Sequence, residues 1–157
     1  MQFIKIANIQ GGFSLDPDKY LDALPELLAD LPEGAARFAA DPDHYNFFGS
    51  RCVKDLKIEQ MELRDLHGRI ELVITFAPNQ FKHEQWLRIA YSDVTSFEVS
   101  ASGWKPAEVW PETRRLGDVQ LDEILPHERG CSHEIQLTRG RGFIVARDLS
   151  AEWYDPE

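Results

Sequence analysis

Two kinds of apolar periodicity divide the chain. Between residues 16 and 40, apolar side chains recur at intervals of three and four, which is the spacing of amphipathic helices. From residue 51 to residue 149, apolar and polar side chains alternate, which predicts strands with one buried face. We therefore expect an α+β fold in which an N-terminal strand and short helices are followed by a mainly antiparallel β-sheet meander.

Three prolines mark the predicted helices. Pro17 suits the first position of a helix, where its missing N–H group costs nothing. Pro25 lies inside the apolar pattern, so we expect a kink or two helices, over residues 17–24 and 25–31. Pro32 is placed to begin a further short helix.

Alternation and turn-forming residues define the strands. Candidate strands cover residues 3–9, 56–63, 70–76, 86–91, 94–101, 119–125, 133–138 and 143–149. Gly11-Gly12 is expected to end the first strand, and His67-Gly68 is expected to form a hairpin turn. The pair Ser92-Asp93 is short enough for a two-residue turn, and Gly140-Arg141-Gly142 is expected to join the last two strands. A change of parity between Glu59 and Met61 indicates a bulge.

A single core follows from these faces. It is predicted to contain Leu24, Leu28, Ile58, Leu72, Ile74, Phe76, Leu87, Ile89, Phe97, Val99, Ile135, Leu137, Phe143 and Val145. Residues 102–118 hold several prolines and glycines and are expected to form a long connection whose tryptophans dock onto the sheet. We predict one α+β domain over residues 1–157.

Composition narrows the function. The 157 residues include 17 Lys and Arg against 27 Asp and Glu, a formal charge of −10, which disfavours nucleic acid and favours a basic protein partner. The N-terminus alternates where a signal peptide would be continuously apolar, and no stretch has the length of a membrane span. We expect a soluble cytoplasmic protein, with Cys52 and Cys131 reduced.

One short segment contains several residues that could bind a metal ion or act in catalysis. His127, Cys131 and His133 lie within seven positions, beside Glu128 and Glu134. The segment lacks the Cys-x2-Cys or His-x3-His ligand pairs of zinc sites and does not supply a complete set of ligands. For a cysteine nucleophile, nothing in the sequence positions an oxyanion hole. We therefore predict no catalytic residue, no metal and no cofactor. A small enzyme or ligand-binding domain that uses His127, Cys131 and His133 is the alternative.

Aromatic residues beside acids suggest a different use of the surface. Tryptophan and tyrosine dominate interface hot spots, and carboxylates around them would form an acidic rim. The predicted partner-binding residues are Asp41, Asp43, Trp104, Glu108, Trp110, Glu112, Glu152, Trp153, Tyr154 and Asp155.

The later strands resemble a known kind of protein. The runs WLRIAYSDV (86–94), LDEI (121–124), HEIQL (133–137) and GFIVARDL (142–149) resemble the back half of small bacterial domains that are similar to immunity proteins of polymorphic toxin systems. This resemblance covers about residues 52–153. It implies a binding protein without catalysis and assigns no site residue.

Together these observations predict a non-catalytic acidic interaction protein. The most concrete form is an immunity-type inhibitor that binds and neutralises a basic toxin, with a nuclease as one candidate. A homodimeric structural subunit, joined through an exposed sheet edge, is a further alternative.

Overall fold

The computed structural model describes residues 1–102 and 114–156. Its elements in chain order are β1 (Lys5–Ile9), β2 (Gly12–Asp16), α1 (Asp18–Leu27), α2 (Glu33–Ala39), β3 (Lys57–Leu66), β4 (Arg69–Ala77), β5 (Trp86–Ala101), β6 (Val119–His127), β7 (Gly130–Leu137) and β8 (Gly140–Tyr154). Every strand pair in the described part of the chain is antiparallel. The predicted α+β class is confirmed, with both described helices before residue 45.

Six strands form one sheet in the order β3-β4-β5-β8-β7-β6, while β1 and β2 form a separate hairpin. The last strand, β8, lies in the interior of this sheet between β5 and β7. The two outer strands approach each other at one end, because the amide of Asp55 donates to the carbonyl of Val119 and the amide of Val119 donates to the carbonyl of Leu56, both at 2.8 Å. The sheet therefore curls around its apolar face.

The core lies against this curled face. The predicted core residues Leu72, Ile74, Phe76, Leu87 and Ile89 are all buried there. The helices contribute further buried side chains, including Tyr20 and Phe38.

Helix α2 is held against β8 by a side-chain cap. The carboxylate of Asp148 accepts hydrogen bonds from the amides of Gly34 at 3.1 Å and Ala35 at 2.9 Å, which satisfies donors that the first turn of a helix leaves unpaired. A Cβ atom at Gly34 would lie 1.9 Å from the carbonyl oxygen of Leu149. The close approach of helix and strand therefore requires glycine at this position.

A second buried carboxylate anchors the start of the chain. Glu123 of β6 accepts hydrogen bonds from the amides of Gln2, Phe3 and Ile4 at 2.5, 2.8 and 2.8 Å. These three bonds fix the N-terminal segment on the outer strand of the sheet.

Two predictions for the front of the chain need correction. Of the two outcomes expected at Pro25, a kink or two helices, the division into two helices is wrong, because α1 continues through Pro25 to Leu27. The proline leaves the carbonyl of Leu21 without a helical donor, but Leu21 is exposed and water can replace that bond. The first strand also has a partner that was not predicted, since residues 12–16 return beside it as β2.

The predicted turn at Ser92-Asp93 is also wrong. Strand β5 continues through it, with Asp93 in a left-handed conformation (φ 51°) and a register shift between Val94 and Ser96. A bulge at this point bends the strand instead of reversing it. The bulge predicted between Glu59 and Met61 is confirmed by the register shift between residues 58 and 60.

The core prediction is wrong mainly in the part of β5 that follows its bulge at residues 94–96. Phe97 and Val99 are 44% and 36% exposed, because β4 pairs with β5 only over residues 87–91 and does not accompany its second half. Other predicted core residues are half-buried, namely Leu28, Ile58 and Phe143.

The remaining turns are largely as expected. His67-Gly68 joins β3 to β4, with Gly68 at a positive φ of 80°. The last hairpin turns earlier than predicted, at residues 138–139, since Leu137 pairs with Gly140 and the predicted turn residues 140–142 already belong to β8. Of the connection predicted over residues 102–118, residues 103–113 lie outside the described part of the chain.

Candidate functional site

A buried carboxylate, Asp122 of β6, joins two histidines. Its Oδ1 is 2.7 Å from Nε2 of His44, in the loop after α2, and its Oδ2 is 2.8 Å from Nε2 of His133 on β7. The far nitrogen of His44 is 3.0 Å from the carbonyl oxygen of Phe38, and that of His133 is 2.7 Å from the hydroxyl of Tyr91. All three ionisable side chains are buried.

The partners of each ring determine its protonation. Both nitrogens of His44 face acceptors, so both must carry hydrogen and the ring is an imidazolium. His133 faces the carboxylate on one side and the Tyr91 hydroxyl on the other, which a neutral ring satisfies by donating from Nε2 and accepting at Nδ1. The network therefore contains one buried ion pair, between His44 and Asp122.

The pKa values of His44 and Asp122 agree with the ion pair between them. Burial would lower the pKa of His44, but the Asp122 carboxylate outweighs burial and raises it above 6.5. Burial would raise the pKa of Asp122, but the charge of His44 and hydrogen bonds from both histidines hold it well below its usual range. Tyr91 stays a phenol, because burial raises its pKa well above 10.

This network holds the loop after α2 against the sheet. It is enclosed, and the void beside Asp122 and His133 measures about 10 Å³, about the minimum for one water molecule. Neighbouring tyrosines extend it, since Tyr45 donates to the carbonyl of Asp122 at 2.9 Å and Tyr20 donates to that of Ile124 at 2.7 Å. We interpret the role of the cluster as structural, because the void beside it is too small for a substrate.

His127, Cys131 and His133 do not converge. His133 is committed to the buried network, whereas His127 is exposed in the turn between β6 and β7, where it accepts the amide hydrogen of Arg129 at 3.1 Å. Cys131 is buried, and burial raises the pKa of its thiol to about 12, so the nucleophilic thiolate is disfavoured. Within residues 1–102 and 114–156, no three His, Cys, Asp or Glu side chains are grouped as metal ligands would be.

A depression on the outer face of β3, β4 and β5 is large enough for a small ligand. It measures about 330 Å³ and includes Glu62, Arg64, Glu71 and Arg88. Arg64 is paired with Glu62 at 2.7 Å, and Arg88 lies over the ring of Tyr154 at 4.7 Å. Because its guanidinium groups already have partners in the chain, this depression gives little support to an anionic ligand.

The clearest unburied aromatic side chains are on two loops. Phe48, between α2 and β3, is 98% exposed, and Phe81, between β4 and β5, is 89% exposed. Gly49 donates to the carbonyl of Asn46 at 2.7 Å in a tight turn beside Phe48, and the amide of Phe81 donates to the side chain of Asn79 at 3.0 Å. We call Phe48, Phe81 and their loops, residues 46–55 and 79–85, the phenylalanine platform.

Side-chain contacts join the two loops of the platform. Nε2 of His83 lies 2.8 Å from the carbonyl oxygen of Cys52, and Lys82 donates to the carbonyl of Lys54 at 3.1 Å. Arg51 donates to the side chain of Gln85 at 3.1 Å. The two loops of the platform therefore support each other through residues 51–54 and 82–85.

The end of β8 lies beside the platform and carries four of the predicted partner-binding residues. Gln85 donates to Asp155 at 3.3 Å, and the half-buried ring of Trp153 stacks on His83 with ring centres 6.2 Å apart. Tyr154 is half-buried under Arg88, and Glu152 is exposed. The structure thus brings the predicted C-terminal group against residues 83–85, in the loop that carries Phe81, which was not predicted.

The other predicted partner-binding residues are divided. Asp41 and Asp43 are half-buried in the loop that leads to Phe48, where Asp41 accepts the amide hydrogen of Asp43 at 2.9 Å. Trp104, Glu108, Trp110 and Glu112 lie outside the described residues. The sequence did hold a signal for the platform, since Phe48 and Phe81 stand in turn-forming segments without periodic apolar neighbours.

The comparisons with known proteins add no assignment. None of the described helices is both long and apolar enough to cross a membrane. No protein-family model matched the chain, and the searches of curated proteins and of solved structures likewise found no match.

Proposed function

We propose that this chain is a non-catalytic interaction protein that binds a basic protein partner through the phenylalanine platform. The observation that carries the proposal is the near-complete exposure of Phe48 and Phe81 on two mutually supported loops. A large aromatic side chain in water forgoes about 1.5–3 kcal/mol of burial free energy, which a partner recovers by covering it. Two such residues on ordered loops provide anchors that need little further ordering on binding.

Charge supports a basic partner. The chain carries a formal charge of −10, and the exposed acids Glu84, Glu152 and Asp155 belong to the loop and strand end at the platform. The two loops also hold three basic residues, of which Lys54 and Lys82 are both paired with Asp55 and Arg51 donates to the side chain of Gln85. Acidic groups around apolar anchors would steer a basic protein during encounter and keep acidic competitors away.

The more specific form of the proposal is an immunity-type inhibitor of a basic toxin, such as a nuclease. It rests on the resemblance of residues 52–153 to immunity-like domains and on the acidic charge. An inhibitor of this kind acts by occlusion, so that its aromatic anchors and carboxylates cover a surface that would otherwise contact phosphate.

Affinity capture from lysate of the native cell tests the proposal. The bait variants are the wild type, Phe48→Ser/Phe81→Ser and the matched control Phe13→Ser, which removes a half-exposed phenylalanine from the β1–β2 hairpin. We expect the wild type and the control to retain one basic protein stoichiometrically. The double variant should bind it about 100-fold or more weakly, since two anchors of about 1.5–3 kcal/mol are lost and 1.4 kcal/mol is tenfold.

Activity of the captured protein tests the inhibitor. One equivalent of the wild type should abolish the toxic activity of the partner, and the double variant should not at equal concentration. An acidic partner, equal retention by all three baits, or a retained small molecule in place of a protein would contradict the proposal.

Steering can be measured separately from anchoring. Glu152→Gln and Asp155→Asn should lower the association rate of the captured partner and flatten its salt dependence, because steering by exposed charges acts over a Debye length of about 10 Å at 0.1 M salt. Dissociation should change little. An association rate that is insensitive to salt in the wild type would show that the acidic charge does not steer this complex.

A further inference from the structure

His83 connects the two loops of the platform through both of its ring nitrogens. Its Nδ1 lies 3.0 Å from the amide nitrogen of Asn79 in its own loop, and its Nε2 lies 2.8 Å from the carbonyl oxygen of Cys52 in the other loop. The Asn79 amide can only donate and the Cys52 carbonyl can only accept. The ring must therefore be neutral, with its hydrogen on Nε2.

These contacts require a neutral ring at His83, whereas the contacts of His44 require a protonated ring. An added proton on Nδ1 would face the N–H group of Asn79, so this bond would be replaced by two opposed donors, in a loop that is otherwise closed by the amides of Lys82 and His83 donating to the Asn79 carbonyl, both at 2.9 Å. Burial acts in the same direction, since it lowers the pKa of His83 below 6.5 despite the hydrogen bond to Cys52.

Three parts of the chain surround His83, namely its own loop, the opposite loop and the end of β8. Lys82 of its own loop disfavours the protonated ring, whereas Asp55 before β3 favours it. Lys54 and the Cys52 thiol belong to the opposite loop, and the thiol stays protonated because burial raises its pKa. Strand β8 contributes the uncharged ring of Trp153. These neighbours leave no carboxylate paired directly with the ring among the described residues.

We propose that His83 is an acid-sensitive clip, which bonds both loops of the phenylalanine platform when neutral and loses its bond to Asn79, in the loop of Phe81, when protonated. The role in partner binding rests on the proposed function. The charged ring would have to move away from the Asn79 amide and would shift the loop of Phe81 relative to the loop of Phe48, so that a complex formed at neutral pH would weaken in an acidified environment.

Nuclear magnetic resonance of the isolated 15N-labelled chain tests the clip. Near neutral pH the ring should show the Nε2–H tautomer. On acidification, the amide signals of Asn79, Phe81 and Gly49 should shift with one midpoint below 6.5, the ordinary pKa of histidine. Exchange of the Asn79 amide, corrected for its intrinsic pH dependence, should accelerate about tenfold or more as the bond opens.

Two variants identify the responsible histidine. In His83→Gln the common titration of both loops should disappear, whereas it should persist in His127→Gln. His127 is a matched control, because its Nδ1 also accepts a backbone amide, in the exposed turn between β6 and β7. Persistence of the titration in His83→Gln, a midpoint at or above 6.5, or a response confined to one loop would overturn the clip. The wild-type titration decides the question even where His83→Gln folds poorly.

The captured partner supplies a second test. Its affinity for the wild type should fall about tenfold or more between pH 7.5 and about pH 5.5, the range in which histidine charge changes. For His83→Gln it should change little. Equal pH dependence in both proteins would overturn the regulatory role. The clip and the proposed function fail separately, because titration is measured without a partner and capture is measured at neutral pH.

Discussion

Asp122 is expected to be the most sensitive polar residue of the fold. It accepts two histidine hydrogen bonds, at 2.7 and 2.8 Å, inside a core from which water is excluded. Removing one member of a buried ion pair costs about 3–5 kcal/mol, because the remaining charge and donors are left without partners. Asp122→Ala should lose this amount, a large share of a total stability of about 5–15 kcal/mol.

Asp122→Asn separates the charge from the hydrogen bonds. The asparagine oxygen can accept from Nε2 of His133, and its amide can donate to Nε2 of a neutral His44 whose Nδ1 still donates to Phe38. Every hydrogen bond is then kept while the ion pair is lost. We expect a cost of about 1–2 kcal/mol, well below that of the alanine variant.

Urea denaturation followed by tryptophan fluorescence measures both costs near pH 6 to 7. Asp65→Ala is the matched control, since it removes an exposed carboxylate from β3 and should change stability by less than about 0.5 kcal/mol. The reasoning is refuted by a cost below about 1 kcal/mol for Asp122→Ala, or by equal costs for the alanine and asparagine variants. If Asp122→Ala does not fold, the asparagine variant and its pH dependence still test the ion pair.

Other expected outcomes concern pH, helix docking and cysteine reactivity. Because His44 has a raised pKa in the folded chain, its contribution is complete below about pH 6.5 and is lost as pH rises through the folded value. Asp122 has a lowered pKa, so its contribution is complete above about pH 3.9 and is lost on further acidification. The difference in unfolding free energy between the wild type and Asp122→Asn should therefore be largest between these limits, and a constant difference from pH 4 to 9 would contradict the ion pair. Asp148→Ala should lower stability by about 1–2 kcal/mol by uncapping α2, and Gly34→Ala should lower it more, through its clash with a carbonyl; urea titration checks both. Cys131 should react with a thiol reagent far more slowly in the folded chain than in urea, and equal rates would mean that its burial is transient.

The parts of the fold that sequence predicts are those with local signals. The hairpin of β3 and β4 follows from alternation on both sides of His67-Gly68, and its buried face contains Leu72, Ile74 and Phe76 as expected. Helix α2 begins directly after Pro32, as expected from the preference of proline for the start of a helix. These features depend on neighbours within a few positions, which the chain displays directly.

The errors arise where distant strands decide the outcome. Ser92-Asp93 has the composition of a turn, but β5 continues past it because 14 residue pairs with β8 lie on both sides of this position. Phe97 has the right parity for the core, yet it is exposed because β4 has already ended its pairing with β5. Neither fact is visible without knowing which strands are adjacent.

The candidate site shows the same limit. The C-terminal aromatic and acidic residues were identified from composition, but their neighbours in the platform come from loops far away in sequence. His44 and Asp122 are 78 positions apart, and Cys52 and His83 are 31 apart, so neither pair has a local spacing to recognise. Histidine protonation, which distinguishes His44 from His83, depends entirely on these long-range partners.

The interior position of β8 has a consequence for biosynthesis. Until β8 leaves the ribosome, the sheet exists only as two incomplete groups, β3-β4-β5 and β6-β7, each with an unpaired edge where β8 belongs. A nascent chain that lacks residues 140–154 also lacks Asp148, so α2 is not yet capped. The six-stranded sheet therefore cannot be completed before residues 140–154 are available, and a chaperone that shields the edges of β5 and β7 until then would protect the chain at its most aggregation-prone stage.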